Sequence, residues 1–263
     1  MVGSEYKNTQ DTLVERIGES EVVYPPVVIA HITREPLDII KPHLKDKKVV
    51  RIHYSSQPNG SPHLGTMTSL GLAFTIGQRV KETLGLETFV TFEGLDNAPC
   101  NKKNINGETY YMSLKDHFVE GESIATTNMR YFQELMDYFK MRSGVEYKTE
   151  MYSEIQKQPF FRKTLLEILK RESDFAPLLA PLEEHIKLRF PCPTCKYAEK
   201  TGKNCKTNVS TEGDLILENE CHEHGKYRIM LKEDNQDFID LNTPCGSVEP
   251  KGSHIEKLKN TPI

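Results

Sequence analysis

The sequence predicts an α/β protein, with a parallel sheet, helical crossovers and an inserted metal-binding element. Three observations predict it. Strand-like runs rich in β-branched and aromatic residues alternate with helical periodicity between Lys48 and Lys170. A breaker-rich stretch, SSQPNGSPHLGT (Ser55–Thr66), separates the first of those strands from the first helix. Farther on, CPTC at Cys192–Cys195 is followed by CHEH at Cys221–His224.

Each element has its own reason. Residues 1–22 are polar and acidic and read as a frayed or helical leader. VVYPPVVIAHI is apolar, but its two prolines demote it to an edge segment. KVVRIHY (Lys48–Tyr54) alternates only weakly, which predicts a strand buried on both faces. From Gly65 to Leu84 the chain is apolar on nearly every side, predicting a buried helix that Gly85 ends. ETFVTFE (Glu87–Glu93) is a second buried strand, and LDNAPCNKKNINGETYY reads as a long loop. Ser123 can cap a helix in which Phe132, Leu135, Met136 and Phe139 fall at i, i+3, i+4 and i+7. VEYKTEMY is a third strand. Pro159 opens a further helix with Phe161, Leu165, Ile168 and Leu169 on one face.

Composition narrows the function. At 263 residues and a net charge of −4, the chain can bury a substantial core and carries no basic field for general DNA or RNA binding. A local basic patch for docking stays open. No apolar run is long enough to span a bilayer, and the N-terminus has no signal core, so the expectation is a cytoplasmic protein without membrane attachment. Six cysteines in a reducing compartment point to metal before disulfides. Cys192, Cys195, Cys221 and His224 form a CxxC…CxxH set that fits one tetrahedral zinc; four protein ligands leave no open position, which makes the site structural. His222 and Cys205 compete as ligands.

The Ser55–Thr66 stretch occupies the place where open parallel sheets bind ligands, beyond the carboxyl end of a strand and at the mouth of the next helix. Glycines there admit a ligand close to the backbone, and helix N–H groups favour phosphates. Neither the Walker spacing nor GxGxxG is present. The bland alternative is a loop whose His63 caps or packs. PNGSPHLGT nonetheless resembles the HIGH signature of class I aminoacyl-tRNA synthetases, most closely the class I lysyl-tRNA synthetases, with His63-Leu64-Gly65-Thr66 at the signature positions. Thr66 departs from the second histidine usual there.

The resemblance implies a Rossmann-like parallel sheet of the class I synthetase (HUP) type with an inserted zinc ribbon. It divides the chain into a leader (1–44), a catalytic domain (45–188), the ribbon (189–232) and a C-terminal segment (233–263). It also implies Asn59, Gly60, His63, Gly65 and Thr66 as nucleotide-binding residues. No match to the family's KMSKS loop is found, the nearest phrase being EPKGSHIEKLKN, and the chain stops soon after the zinc element. Either the chain is C-terminally truncated or its chemistry needs no ATP.

That profile resembles the cyclodipeptide synthases, and within them the fungal arginine-containing group, through RIHYSSQPNGSPHLGT and FEGLDNAP. The resemblance implies two aminoacyl-tRNA substrates, arginyl-tRNA and a second one, with zinc as the only cofactor. Ser55 or Ser56 is then the candidate nucleophile, with His53, Tyr54 and His63 near enough in sequence to assist; paired serines also serve as ordinary loop hydrogen bonders. Glu93 and Asp96 are candidate carboxylates for a guanidinium, with a solvated turn as the alternative and Asp237 and Asp240 as further candidates. ATP enters only if the chain is a lysyl-type synthetase. A non-catalytic tRNA-binding paralogue is the third reading.

Overall fold

The computed structural model describes residues 13–17, 20–24, 37, 40–179, 186, 190–199, 206–209 and 215–231. Asp237, Asp240, Cys205, the EPKGSHIEKLKN phrase and the C-terminal segment lie outside them. In chain order come β1 (Leu13–Ile17), β2 (Ser20–Tyr24), a short 3-10 turn (Lys41–Leu44), β3 (Val49–Ser56), α1 (Leu64–Leu84) and β4 (Glu87–Gly94). Next are β5 (Pro99–Ile105), β6 (Glu108–Ser113), β7 (Phe118–Val119), β8 (Glu122–Ser123), α2 (Ile124–Ser143) and β9 (Glu146–Met151). Then follow α3 (Tyr152–Gln156), α4 (Pro159–Lys170), α5 (Glu172–Leu179), β10 (Tyr197–Glu199), β11 (Lys206–Val209), β12 (Leu215–Cys221) and β13 (Gly225–Leu231). No helix among the described residues is long and apolar enough to cross a membrane.

β3, β4 and β9 form a three-stranded parallel sheet in the order β3-β4-β9. Its hand of pairing shows at both ends. Glu87 N–H donates to the Lys48 carbonyl at 3.3 Å and Leu95 N–H donates to the Ser56 carbonyl at 2.9 Å, so the two chains advance together. The expectation of an α/β protein with a parallel sheet holds. Two of its details do not. Among the described residues β3 lies at the edge of this sheet and none of its residues is fully buried, whereas β4, in the centre, is buried at Thr88 and from Val90 to Gly94, with Glu87 exposed and Phe89 half-buried. α1 is likewise not buried all round: Thr66, Leu70, Ala73, Phe74, Gly77 and Val80 make one inward stripe.

The chain divides into two compact units, residues 1–54, 63–91 and 135–148, and residues 55–62, 92–134 and 149–263. In the first unit, β1 and β2 pair antiparallel with Ile17 opposite Ser20, so residues 13–17 and 20–24 are paired strands where a frayed or helical leader is expected. Val14, Ile17, Val22, Val23 and Tyr24 are strand formers, and they outweigh the acidic residues between them. α1 lies close on the sheet: a Cβ on Gly77 would stand 3.1 Å from Val145 Cγ1 and 3.3 Å from Ile52 Cδ1 and Thr88 Cγ2. Phe74 is sandwiched by Phe139 and Tyr147, with ring centroids 5.6 and 6.3 Å away. Gly85, at φ 65°, ends α1 in the left-handed cap that glycine favours, its N–H donating to Lys81 O.

The second unit corrects the long loop. Residues 99–113 are the hairpin β5–β6, with Ile105 opposite Glu108 and both Asn106 and Gly107 at positive φ (51° and 84°). Asn-Gly is the pairing that a two-residue turn with two left-handed positions demands. β10 adds to the far side of β6, with Tyr197 opposite Met112, so the order is β10-β6-β5. The metal-binding segment therefore shares a sheet with this hairpin instead of standing apart. Its residues Phe190, Leu217 and Ile229 also join one core with Leu95, Tyr152, Phe161, Leu165 and Leu169. Ser123 caps α2 as expected, its Oγ accepting from Thr126 N–H at 3.1 Å. Pro159 is the first residue of α4, whose inward face carries Phe161, Leu165, Ile168 and Leu169.

Candidate functional site

In the second unit, Cys192, Cys195, Cys221 and His224 present one ligand atom each, all within 4.8 Å of one another. The local chain explains the convergence. Cys192 N–H donates to Tyr197 O and Lys196 N–H to Cys192 O, both at 2.9 Å, with Lys196 at φ 62°. This tight turn swings Cys192 and Cys195 to the same side. On the other side β12 and β13 pair Cys221 opposite Gly225, and Gly225 at φ 71° folds His224 back toward the cysteines. The Cys195 and Cys221 sulfurs are 3.6 Å apart; His224 Nδ1 lies 3.5 Å from Cys221 Sγ and 3.7 Å from Cys192 Sγ.

The electrostatics suit a cation. Burial raises the Cys192 thiol, but the backbone amides of Cys195 and Thr194 and the neighbouring thiols more than offset this and hold it below its usual value. Burial and the proximity of Cys192 push Cys195 up to about 12. Thiolate ligands bind a metal in competition with their protons, and this Cys3His set could hold a metal ion. His222, the competing ligand, is not part of this group: its ring packs tilted against Tyr110, with centroids 4.7 Å apart, and its Nε2 is 3.3 Å from Glu223 Oε1.

The second group of residues belongs to the carboxyl end of the sheet. Ser55 and Ser56 are half-buried at the end of β3, and neither hydroxyl makes a hydrogen bond among the described residues. The following loop is held by Asn128 Nδ2, which donates to Pro58 O at 2.9 Å. Asn59 is exposed, and a Cβ on Gly60 would meet nothing within 4 Å. Glu93, at the end of β4, is 1% exposed. Asp96 is 3% exposed and committed: its two carboxylate oxygens accept from Ser153 N–H at 2.9 Å and from Ser153 Oγ–H. Burial raises the Asp96 carboxyl above the usual carboxylate range, and the Ser153 hydrogen bonds and Lys115 oppose that only in part. Asp96 thus braces the start of α3 instead of standing on a solvated turn.

In the first unit His63 is the N-cap of α1. Its Nδ1 accepts from Gly65 N–H at 3.1 Å and from Thr66 N–H at 3.3 Å, and Nε2 lies 3.2 Å from Thr66 Oγ1. An Nδ1 that accepts leaves the proton on Nε2, which then donates to Thr66. Gly65 is part of this cap: a Cβ there would stand 3.0 Å from His63 Cε1. Tyr54 OH pairs with Ser69 Oγ at 2.9 Å.

One pair was missed in the sequence. Cys100 Sγ lies 3.2 Å from His117 Nδ1. Cys100 sits where the β5–β6 register shifts between Pro99 and Asn101, and it has no partner across the ladder. The signal was Asn106-Gly107, which marks a hairpin and so brings the segment after β6 back beside the start of β5.

No protein-family model matches this chain, and no curated protein matches it in sequence.

Proposed function

We propose that the chain is an aminoacyl-tRNA-dependent cyclodipeptide synthase built on a class I synthetase-like domain, working in the cytoplasm with arginyl-tRNA as one of its two substrates. The observation that carries this reading is the setting of SSQPNGSPHLGT: it joins the first strand of a parallel sheet to the following helix, and His63 stands at that helix's N-terminus. That is the ligand-binding position of open α/β sheets. Aminoacyl esters are already activated, so the chemistry needs a nucleophile, a proton acceptor and oxyanion donors, and no ATP. Within the second unit Ser55, Ser56 and Glu93 all come from the carboxyl ends of β3 and β4. Asp96 is committed to Ser153, and Glu93 is the carboxylate proposed to meet a guanidinium. The metal is zinc, held by Cys192, Cys195, Cys221 and His224 as a structural ion that ties β10 and β12–β13 together.

The resemblance of PNGSPHLGT to the HIGH signature is the ground for a second reading as a lysyl-type class I synthetase. One experiment separates them. The chain is incubated with in vitro charged tRNA and the products are analysed for a diketopiperazine by mass spectrometry. In parallel it is incubated with ATP, amino acid and labelled pyrophosphate. A cyclic dipeptide without pyrophosphate exchange supports the synthase. Exchange without the dipeptide supports the synthetase, and tRNA binding with neither product makes the chain a non-catalytic tRNA binder.

A further inference from the structure

We propose that Cys100, with His117 as its base, is the acceptor that takes the first aminoacyl group from tRNA. This deepens the cyclodipeptide synthase reading and rests on it. Three observations in the second unit carry it. The first is the pair itself, sulfur to Nδ1 at 3.2 Å, the reach a nucleophile and its base require. The second is the bulge: Cys100 is the residue left out of the β5–β6 register, and its side chain is half-buried rather than sealed in the core. The third is place. Cys100 packs with Ala98, Leu114 and Ala125 in a small cluster that includes Met151, the last residue of β9. Met151 Sδ in turn lies 2.9 Å from where a Cβ on Gly94, the last residue of β4, would stand. Cys100 and the last residue of β9 thus pack against the same buried cluster.

The alternatives in the same unit lack a base. Neither Ser55 nor Ser56 has a hydrogen-bonded partner for its hydroxyl among the described residues. In the other unit, the ring nitrogens of His63 are occupied by the α1 cap. Burial keeps the Cys100 thiol above its usual value, so the resting group is the neutral thiol and its proton leaves as the sulfur attacks.

The steps balance without an outside reagent. The thiol proton passes to His117 Nδ1 while sulfur adds to the ester carbonyl of arginyl-tRNA. The carbon–oxygen bond to the terminal ribose breaks, His117 returns the proton to the ribose oxygen, and a thioester remains. The α-amine of the second aminoacyl-tRNA attacks that thioester; an amide forms, and the amine's proton goes to the departing sulfur by way of His117. The free α-amine of the resulting dipeptidyl-tRNA then attacks its own ester; the second amide forms, the carbon–oxygen bond to the ribose breaks, and the amine's proton passes by way of His117 to the ribose oxygen of the released second tRNA.

The test uses the full chain and arginyl-tRNA carrying labelled arginine. After acid quenching and nuclease digestion, label is expected on the Cys100 peptide and is released by neutral hydroxylamine, as a thioester is. Cys100→Ala should lose the label, and His117→Gln should reduce its rate of appearance by about a hundredfold or more. Label that survives neutral hydroxylamine and maps to Ser55 or Ser56 would overturn the assignment. So would cyclic dipeptide formation unchanged in Cys100→Ala, which leaves the aminoacyl-tRNA reading standing. If no charged tRNA yields label or dipeptide, that reading fails, and the pair is judged by alkylation. Peptide-resolved iodoacetamide labelling of Cys100 at least tenfold slower in His117→Gln supports a nucleophile–base pair; equal rates overturn it.

Discussion

Replacing Cys192 by serine removes one of the four side chains that could hold a metal ion, at a point where metal binding would also be folding free energy. The structure sets the scale. Cys192 is 1% exposed, its N–H holds Tyr197, and Tyr197 begins the strand that pairs with β6. Phe190, two residues before it, is fully buried, and Leu217 and Ile229 on β12 and β13 are 0% and 4% exposed. All three share the core with Tyr152 and Phe161. Exposing three such side chains costs about 1.5–3 kcal/mol each, or about 5–9 kcal/mol together. In a unit of this size each kcal/mol moves the melting temperature by roughly 2–4 °C, so Cys192→Ser should melt at least about 10 °C lower. The assay joins elemental analysis, expected to give one zinc per chain, with thermal melts in the presence and absence of a strong chelator. His222→Ala serves as the control, because its ring lies on Tyr110 outside the group. Purified protein without metal, an unshifted melt for Cys192→Ser, or loss of metal from His222→Ala but not from His224→Ala would refute the reasoning.

Other substitutions test the remaining sites. His63→Ala should cost about 1 kcal/mol of stability by uncapping α1, while His63→Asn keeps the cap; denaturant titration checks both. Dipeptide formation lost in a stable His63→Asn would show that the ring also serves the substrate. Asp96→Asn should be at least as stable as the parent at pH 7, since the amide keeps both Ser153 contacts without a buried charge. A carboxyl raised in the folded state stabilises most at low pH and loses this as pH rises through its folded pKa. The parent should accordingly gain on Asp96→Asn as pH falls toward 4, and denaturant titrations showing the opposite slope would reject the buried-acid account. Asp96→Asn should also leave use of arginyl-tRNA unchanged, whereas Glu93→Gln should weaken it relative to a neutral aminoacyl-tRNA, as competition assays would show. Gly107→Val, a β-branched residue forced to φ 84°, should destabilise the β5–β6 hairpin by more than 1 kcal/mol, read by hydrogen exchange at Tyr110 and Tyr111.

Local chemistry was legible in the sequence wherever it depends on neighbours along the chain. Pro159 opens a helix, Gly85 closes one and Ser123 caps another because each acts within four residues of itself. The cysteine spacing named the four members of the metal group, since each half is a short turn that places its own two ligands. Tertiary structure alone decided the rest. Which strand lies at the edge of the described sheet depends on pairing order, and this left β3 half-buried where its composition implied burial. Whether His222 or His224 faces the cysteines was settled by the β12–β13 register and the left-handed Gly225. Asp96 meets Ser153 across 57 residues, and Cys100 meets His117 across a folded hairpin; no periodicity encodes either contact. Such contacts arise when distant segments bury their surfaces together, and one-dimensional spacing carries no information about which of them will meet.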